Sequence, residues 1–422
     1  MLEISYLVLI DGEPYGSDLI NKVSLSYDIN THLPSGTLTM IDANGDRLAK
    51  MNFMIGSTVE IKVMSPNAGA WAFPVMVISK MFHDTSANAQ EFGGFYQIIL
   101  EHPWMLSLDY TPHAYAPAKV SNIVKDILED DTRGVSYKGK TVNIADTDDT
   151  AKIPRYKTET SDYEFIIDSL LPMSVIKGQP AYFFLDTRGR FNFISIQELY
   201  KEQAEAILTG IDLAGSITDL DKITKKTLTK EVVMATDFSV LIGGGTKVPL
   251  LRGLRPKVNL DTMTGRFLSG IKSPTAVLTT ATGKNSGNKI PVLVSTILEN
   301  KPTDEISSPN KLWDDQVALA INSGRKLDSM FRLECVIKPD LAIAITIGSV
   351  VQFVIPEKVL NDDVEDEETL KAHWLVGKWV VQKMDYSITT EGVETKLQCI
   401  KSNFTINSES TTIEYPDFCY SV

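Results

Sequence analysis

Cysteine is scarce and histidine nearly so: the chain of 422 residues contains 3 Cys and 5 His. Cys335, Cys399 and Cys419 are odd in number and far apart, which excludes a disulfide framework and a CxxC metal site and points to a reducing compartment. His32, His83, His102, His113 and His373 form no pair at i, i+3 or i+4, so no helical zinc motif is present. No metal and no cofactor is implied. Basic residues are in the minority, 41 Lys plus Arg against 54 Asp plus Glu, for a formal charge of -13. That balance disfavours a protein that gains affinity by neutralising many phosphates. No uninterrupted apolar run approaches the roughly 18 residues that span a bilayer. The start of the chain has Glu3 where a signal peptide would be positive, and its apolar run covers only Tyr6 to Ile10. The expectation is a soluble chain with no membrane segment and no secretion address.

What is present is an ordinary globular composition: 43% hydrophobic and 23% charged residues, with 26 Gly and 19 Pro. At about 150 residues per domain, the length predicts roughly three domains, or two with large insertions. Residues 1 to about 105 alternate apolar and polar side chains in short bursts, as half-buried antiparallel strands do. Near residue 110 the pattern changes. Val120, Ile123, Val124, Ile127 and Leu128 recur at helical spacing behind Pro117, predicting an amphipathic helix of about four turns with that proline in its first turn. Ser161-Asp162-Tyr163-Glu164 reads as a capping box that opens a second helix ending before Pro172. Ala181 to Leu185 and Phe191 to Ile196 flank a turn and read as a hairpin. Residues 243 to 310, rich in Gly, Thr, Ser, Pro and Lys, read as an insertion, followed by helical spacing through Trp313, Val317 and Leu327. Period-2 alternation resumes from Phe331 to Lys401.

The last β segment echoes the first. Ile55-Gly56-Ser57-Thr58-Val59 corresponds to Ile347-Gly348-Ser349-Val350-Val351. Each copy continues to a strand carrying Lys-Met, Lys80-Met81 in one and Lys383-Met384 in the other, and then to a closing strand. The fold class predicted is therefore mainly β, with two similar small antiparallel β-barrels flanking a mixed α+β middle. In the second copy Val350 and Val354 make the strand apolar on both faces. Together with Trp313 they are candidates for a face covered by another subunit or by the middle domain. The acidic run 361–368 reads as a solvated loop.

One pattern suggests catalysis. Residues 134–141 fit G-x-x-x-x-G-K-[ST], so Gly139, Lys140 and Thr141 could cradle a nucleotide phosphate and its magnesium ion. Context opposes this reading, because the stretch follows a helix and precedes no helical periodicity, whereas a phosphate loop joins a strand to a helix N-terminus. Lys222, Lys225, Lys226 and Lys230 form a basic cluster that reads as a solvated face.

The stretch Gly36 to Val63, with Ile41-Asp42-x-Asn44-Gly45 and then Ile55-Gly56-x-x-Val59-x-Ile61, resembles the N-terminal barrel of phage tail baseplate hub proteins of the late-control D and VgrG type. Tyr156 to Ile166 resembles their middle segment, and Ile347 to Lys401 their second barrel. The resemblance implies a non-enzymatic structural protein of the virion tail, assembled in the host cytoplasm. It implies a homotrimeric ring that joins the hexameric tail tube protein to a threefold central spike, contacts other baseplate proteins and the tape measure protein, and lets DNA pass without specific binding. On this reading 1–107 is the first barrel and 108–225 the middle domain. Residues 226–250 with 331–402 form the second barrel, 251–330 an insertion and helix against the middle domain, and 403–422 a tail. A tail-associated cell-wall hydrolase, a nucleotide hydrolase and a carbohydrate- or receptor-binding module remain the alternatives.

Overall fold

A computed structural model describes residues 5–16, 18–42, 53–65, 69–84, 94–106, 110–130, 141–148, 153–177, 179–202, 204–209, 231–241, 257–261, 266–268, 275–279, 285–291, 297–301, 331–337, 345–354, 377–390 and 392–401. The first part is all β: β1 (Ser5–Ile10), β2 (Glu13–Tyr15), β3 (Ile20–Asp28), β4 (Ser35–Asp42), β5 (Thr58–Ser65), β6 (Gly69–Ala72), β7 (Met76–Asp84) and β8 (Gly94–Glu101). Alternation explains these strands. In β3, Val23, Leu25 and Tyr27 are buried while Ser24 and Ser26 look outward.

The middle part begins with β9 (His113–Ala118) and α1 (Val120–Glu129), then β10 (Thr141–Ile144) and β11 (Ile153–Lys157). The stripe Val120, Ile123, Val124, Ile127 and Leu128 is buried along α1. The helix has 10 residues, which is about three turns rather than four. Pro117 belongs to β9 and not to the first turn, and Lys119 stands at the N-cap. A short helix α2 (Asp162–Glu164) opens behind the capping box and continues as a π-helical stretch, Phe165–Leu170, and a 3₁₀ turn, Leu171–Met173. Pro172 lies inside that turn, where its missing N–H costs no bond, so helical structure runs past the stop the sequence suggests. The strands β12 (Val175–Ile176), β13 (Gln179–Leu185) and β14 (Arg190–Ser195) follow, then α3 (Ile196–Leu199). They form a sheet in the order β10-β14-β13-β12.

The remaining strands are β15 (Ala206–Thr209), β16 (Glu231–Leu241), β17 (Lys257–Asp261), β18 (Arg266–Leu268), β19 (Thr275–Thr279), β20 (Asn285–Pro291), β21 (Ile297–Lys301), β22 (Phe331–Ile337), β23 (Val350–Val354), β24 (Gly377–Thr389) and β25 (Gly392–Lys401). Within the insertion, β17 pairs β18 and β21, and β19 pairs β20. The chain is mainly β, and one large sheet of mostly antiparallel strands runs through both ends of the sequence, in the order β2-β1-β5-β7-β8-β4-β3-β24-β23-β15-β16-β22-β25. β15, at the end of the segment read as the middle domain, pairs in parallel with both β16 and β23.

Two apolar clusters form the core of the described residues. The larger passes without a break from Val23, Ile61 and Leu100 to Val351, Trp379 and Leu397. The second packs α1 against Trp104, Phe183, Phe191 and Phe193. β13 belongs to both, because its residues alternate: Phe183 and Leu185 enter the second cluster while Tyr182 and Phe184 enter the first. A strand buried on both faces thus anchors the middle segment to the sheet. A backbone contact reinforces it, with Leu185 N–H donating to the His32 carbonyl at 2.8 Å.

Candidate functional site

The duplicated motif folds into the same turn twice. Gly56 and Gly348 both take positive φ, +94° and +82°, which a side chain would resist. In the first copy Ser57 N–H donates to the Met54 carbonyl at 3.0 Å, and Met54 N–H donates to Ser57 Oγ at 3.0 Å. In the second, Ser349 N–H donates to the Thr346 carbonyl at 3.1 Å, and Thr346 N–H donates to Ser349 Oγ at 3.1 Å. Each glycine then ties its turn to the next strand. Gly56 N–H reaches the Ile78 carbonyl and Gly348 N–H the Val381 carbonyl, both at 2.8 Å. Immediately afterwards both strands carry a register shift, between Ile78 and Lys80 in β7 and between Val381 and Lys383 in β24. The shift is a bulge that re-aims the strand just before each Lys-Met pair.

Val59 and Val351 are both fully buried, as is Met384, while Met81 packs partly buried on the same cluster. The copies part company at Ile55, 64% exposed, and Ile347, 1% exposed. The reason is the neighbour: Gly348 abuts the ring of Phe184, so the second turn is roofed by the middle segment. Val350 is buried in the same cluster, which includes Phe184 and Leu199.

Strand order repeats as well. In the first unit the pairings run β1-β5-β7-β8-β4-β3, and in the second β15-β23-β24-β25-β22-β16. The second unit closes on itself because β15 also pairs β16, whereas among the described residues no ladder joins β1 to β3. The edge of β3 turned away from β4 instead pairs β24, from Lys383 opposite Asp28 to Thr389 opposite Lys22. β24 therefore serves three partners, with β25 along one edge and β23 followed by β3 along the other.

On the outer face of this junction Ser26 Oγ donates to Asp385 Oδ1 at 2.6 Å, and Lys383 Nζ lies 2.7 Å from Asp385 Oδ2. On the core face Tyr27 and Tyr386 meet edge to face, with centroids 6.1 Å apart, and Phe73 lies 4.9 Å from Tyr386. Burial pushes both tyrosine hydroxyls well up from the usual phenol value, so they stay neutral. The outer face runs unbroken across β7, β8, β4, β3, β24, β25 and β22. It is largely polar, with Ser24, Thr37, Gln97 and Gln398 among ion pairs such as Lys396–Glu334 at 3.5 Å. An apolar exception clusters on the first unit: Phe82 is 54% exposed, Phe95 43% and Ile41 42%.

Nothing in this geometry assembles a catalytic centre among the described residues. Thr141 opens strand β10, which pairs β14, and Gly139 and Lys140 lie outside the described residues. Trp313, the cluster Lys222 to Lys230 and the acidic run 361–368 lie outside them too. Val354 ends β23, and its side chain is outside the description. Among the described residues no group of three or more His, Cys, Asp or Glu could hold a metal ion, and no helix is long and apolar enough to cross a membrane. Sequence reasoning missed the junction residues Ser26, Tyr27, Asp385 and Tyr386. The one available signal was the length of β24, whose 13 residues exceed what one partner needs.

No family model matches the chain, and no curated protein matches its sequence. Solved structures do. The fold is similar to that of a tail protein from Neisseria meningitidis MC58, with a TM-score of 0.53 and 9% identity over 94% of this chain and 97% of that one. It is also similar to the 43 kDa tail protein of prophage MuSo2 from Shewanella oneidensis, with a TM-score of 0.52 and 10% identity over 95% of this chain and 99% of that one. The chain thus shares the fold of these two phage-type tail proteins along nearly its whole length.

Proposed function

We propose that this chain is the structural hub of a phage or phage-like tail and works as a homotrimeric ring. One observation carries the reading: a single chain contains two β units with the same strand order and the same glycine turn, fused edge to edge through β3 and β24. Closed rings need repeated, nearly equivalent contacts, and two such units per chain let three chains offer a surface close to sixfold. That surface suits the hexameric tail tube protein. The middle segments, present once per chain, would give the threefold face a central spike requires. Further baseplate proteins and the tape measure protein would contact the same ring.

The outer face of the shared sheet would line the channel. Its serines, threonines and glutamines with internally paired charges offer DNA neither a field nor a binding patch, as passage without retention requires. The role is non-enzymatic, since no convergent set of acid, base and nucleophile is needed for it. The test is the native mass of the purified full chain, followed by imaging. A trimer forming rings supports the reading, and a chain that remains monomeric at all concentrations overturns it.

A further inference from the structure

We infer that the outer edge of β7, along Lys80–Asp84, docks β16 of a second copy of this chain, with Phe82 opposite Leu241. The inference rests on the ring reading above and names the contact that would close the ring.

β7 and β24 are equivalent by strand order and by the shared bulge, and β3 is likewise equivalent to β16. On β24, the edge that first pairs β23 is taken over by β3. On β7, the same edge pairs β5 only at Met76 and Val77, and beyond them no strand covers it among the described residues. β16 is the complement. Its residues Glu231–Met234 pair β15, and from Ala235 to Leu241 that edge pairs no strand among the described residues while β22 holds the other. Among the described residues one chain therefore carries two edges of matching type that pair no strand, at opposite ends of the wall β7-β8-β4-β3-β24-β25-β22-β16. Open edges of this kind take up strands from other chains. A head-to-tail contact repeated around an axis closes a ring.

The register follows from the intrachain junction. Asp385 pairs Ser26 and Ser387 pairs Ser24. Counting from the bulge, Asp385 corresponds to Phe82 and Ser387 to Asp84. Counting through β4 and β22, Ser26 corresponds to Leu241 and Ser24 to Ser239. Phe82 thus falls opposite Leu241, and Asp84 opposite Ser239. The residue types change in step: where the chain's own junction has a carboxylate and a hydroxyl 2.6 Å apart, the junction between copies has Phe and Leu. This accounts for an aromatic ring 54% exposed at the edge of a polar face. It also separates the two contacts. Exchanging them would set Asp385 against Leu241 and Phe82 against Ser26, costing the carboxylate its hydroxyl donor.

The test uses the full chain with Cys419→Ser, carrying Phe82→Cys and Leu241→Cys. Residues directly opposite on antiparallel strands lie about 4.5–5.5 Å apart at Cα, within disulfide reach. Mild oxidation is expected to convert the trimer to a covalent one on a non-reducing gel, while each single variant and the offset pair Phe82→Cys with Ser239→Cys stay uncrosslinked. A trimer by native mass that gives no 82–241 crosslink overturns this contact and leaves the hub reading standing. Crosslinking of the offset pair overturns the register. A native mass that is monomeric overturns both readings. Amide exchange on the unmodified protein is the second readout, independent of variant folding: amides of 80–84 and 235–241 are expected to gain protection on assembly, and unchanged exchange there overturns the contact.

Discussion

Gly348 sits against the ring of Phe184: a methyl group placed on that glycine would lie 2.7 Å from Phe184 Cζ. The same group on Gly56 would meet nothing within 4 Å. Both glycines have positive φ, so alanine at either site costs about 1–2 kcal/mol in backbone strain. At Gly348 the collision adds about 1–3 kcal/mol more. Chemical denaturation of the two single variants is expected to rank Gly348→Ala below Gly56→Ala in stability. Equal losses would mean that Phe184 moves aside without cost.

In the middle segment Lys157 Nζ lies 2.8 Å from Asp162 Oδ1, with side chains 1% and 3% exposed. The pair locks β11 to the start of α2. Asp162→Asn would take this carboxylate charge away from a buried ammonium, a loss of up to about 3–5 kcal/mol. Denaturation of the full chain, with amide exchange over residues 153–177, measures it. A change below about 1 kcal/mol would show that the Asp162 charge is not what holds Lys157 in the interior.

His102 is buried, and its Nδ1 accepts the Trp104 N–H at 3.3 Å. Burial pushes its pKa from 6.5 down to about 3. The sign follows: between those values the unfolded chain binds a proton that the folded chain does not. The contribution is therefore intact above pH 6.5 and is lost as pH falls toward 3, by up to about 1.4 kcal/mol per pH unit. His32, also lowered by burial, works in the same direction. His102→Gln is expected to flatten the difference in stability between pH 6.5 and pH 4.5 relative to the unmodified chain. Parallel curves would place that acid sensitivity elsewhere.

The Ser26–Asp385 bond is partly open to solvent, so Ser26→Ala is expected to cost only about 1 kcal/mol. Its loss should be felt equally by β3 and β24, which a double-mutant cycle with Asp385→Asn reads as a coupling of about 0.5–1 kcal/mol. Additive losses would show that this bond adds nothing to the ladder and the shared core in joining the units.

Much of the fold was legible because it is written in local periods. Val23, Leu25 and Tyr27 alternate, the stripe of α1 repeats every turn, and Ser161 and Glu164 satisfy each other across one turn. The duplicated turn was legible because Gly56 and Gly348 occupy positions that a side chain resists. The junction was not. Ser26 and Asp385 read as ordinary outward-facing residues, and their partnership depends on a register between strands 359 positions apart. β15, with 4 residues and two parallel partners, is too short to carry a period. Pro117 was misassigned because φ suits both a first helical turn and the end of a strand.

Because β3 leaves the ribosome long before β24, most of synthesis passes with the amino-terminal strand lacking its eventual neighbour. A polypeptide broken off before residue 383 would keep that flank bare and adhere to whatever strand arrived first. Completion of the carboxy-terminal hairpin is thus what covers that flank, so the seam between the two units closes only at the end of synthesis.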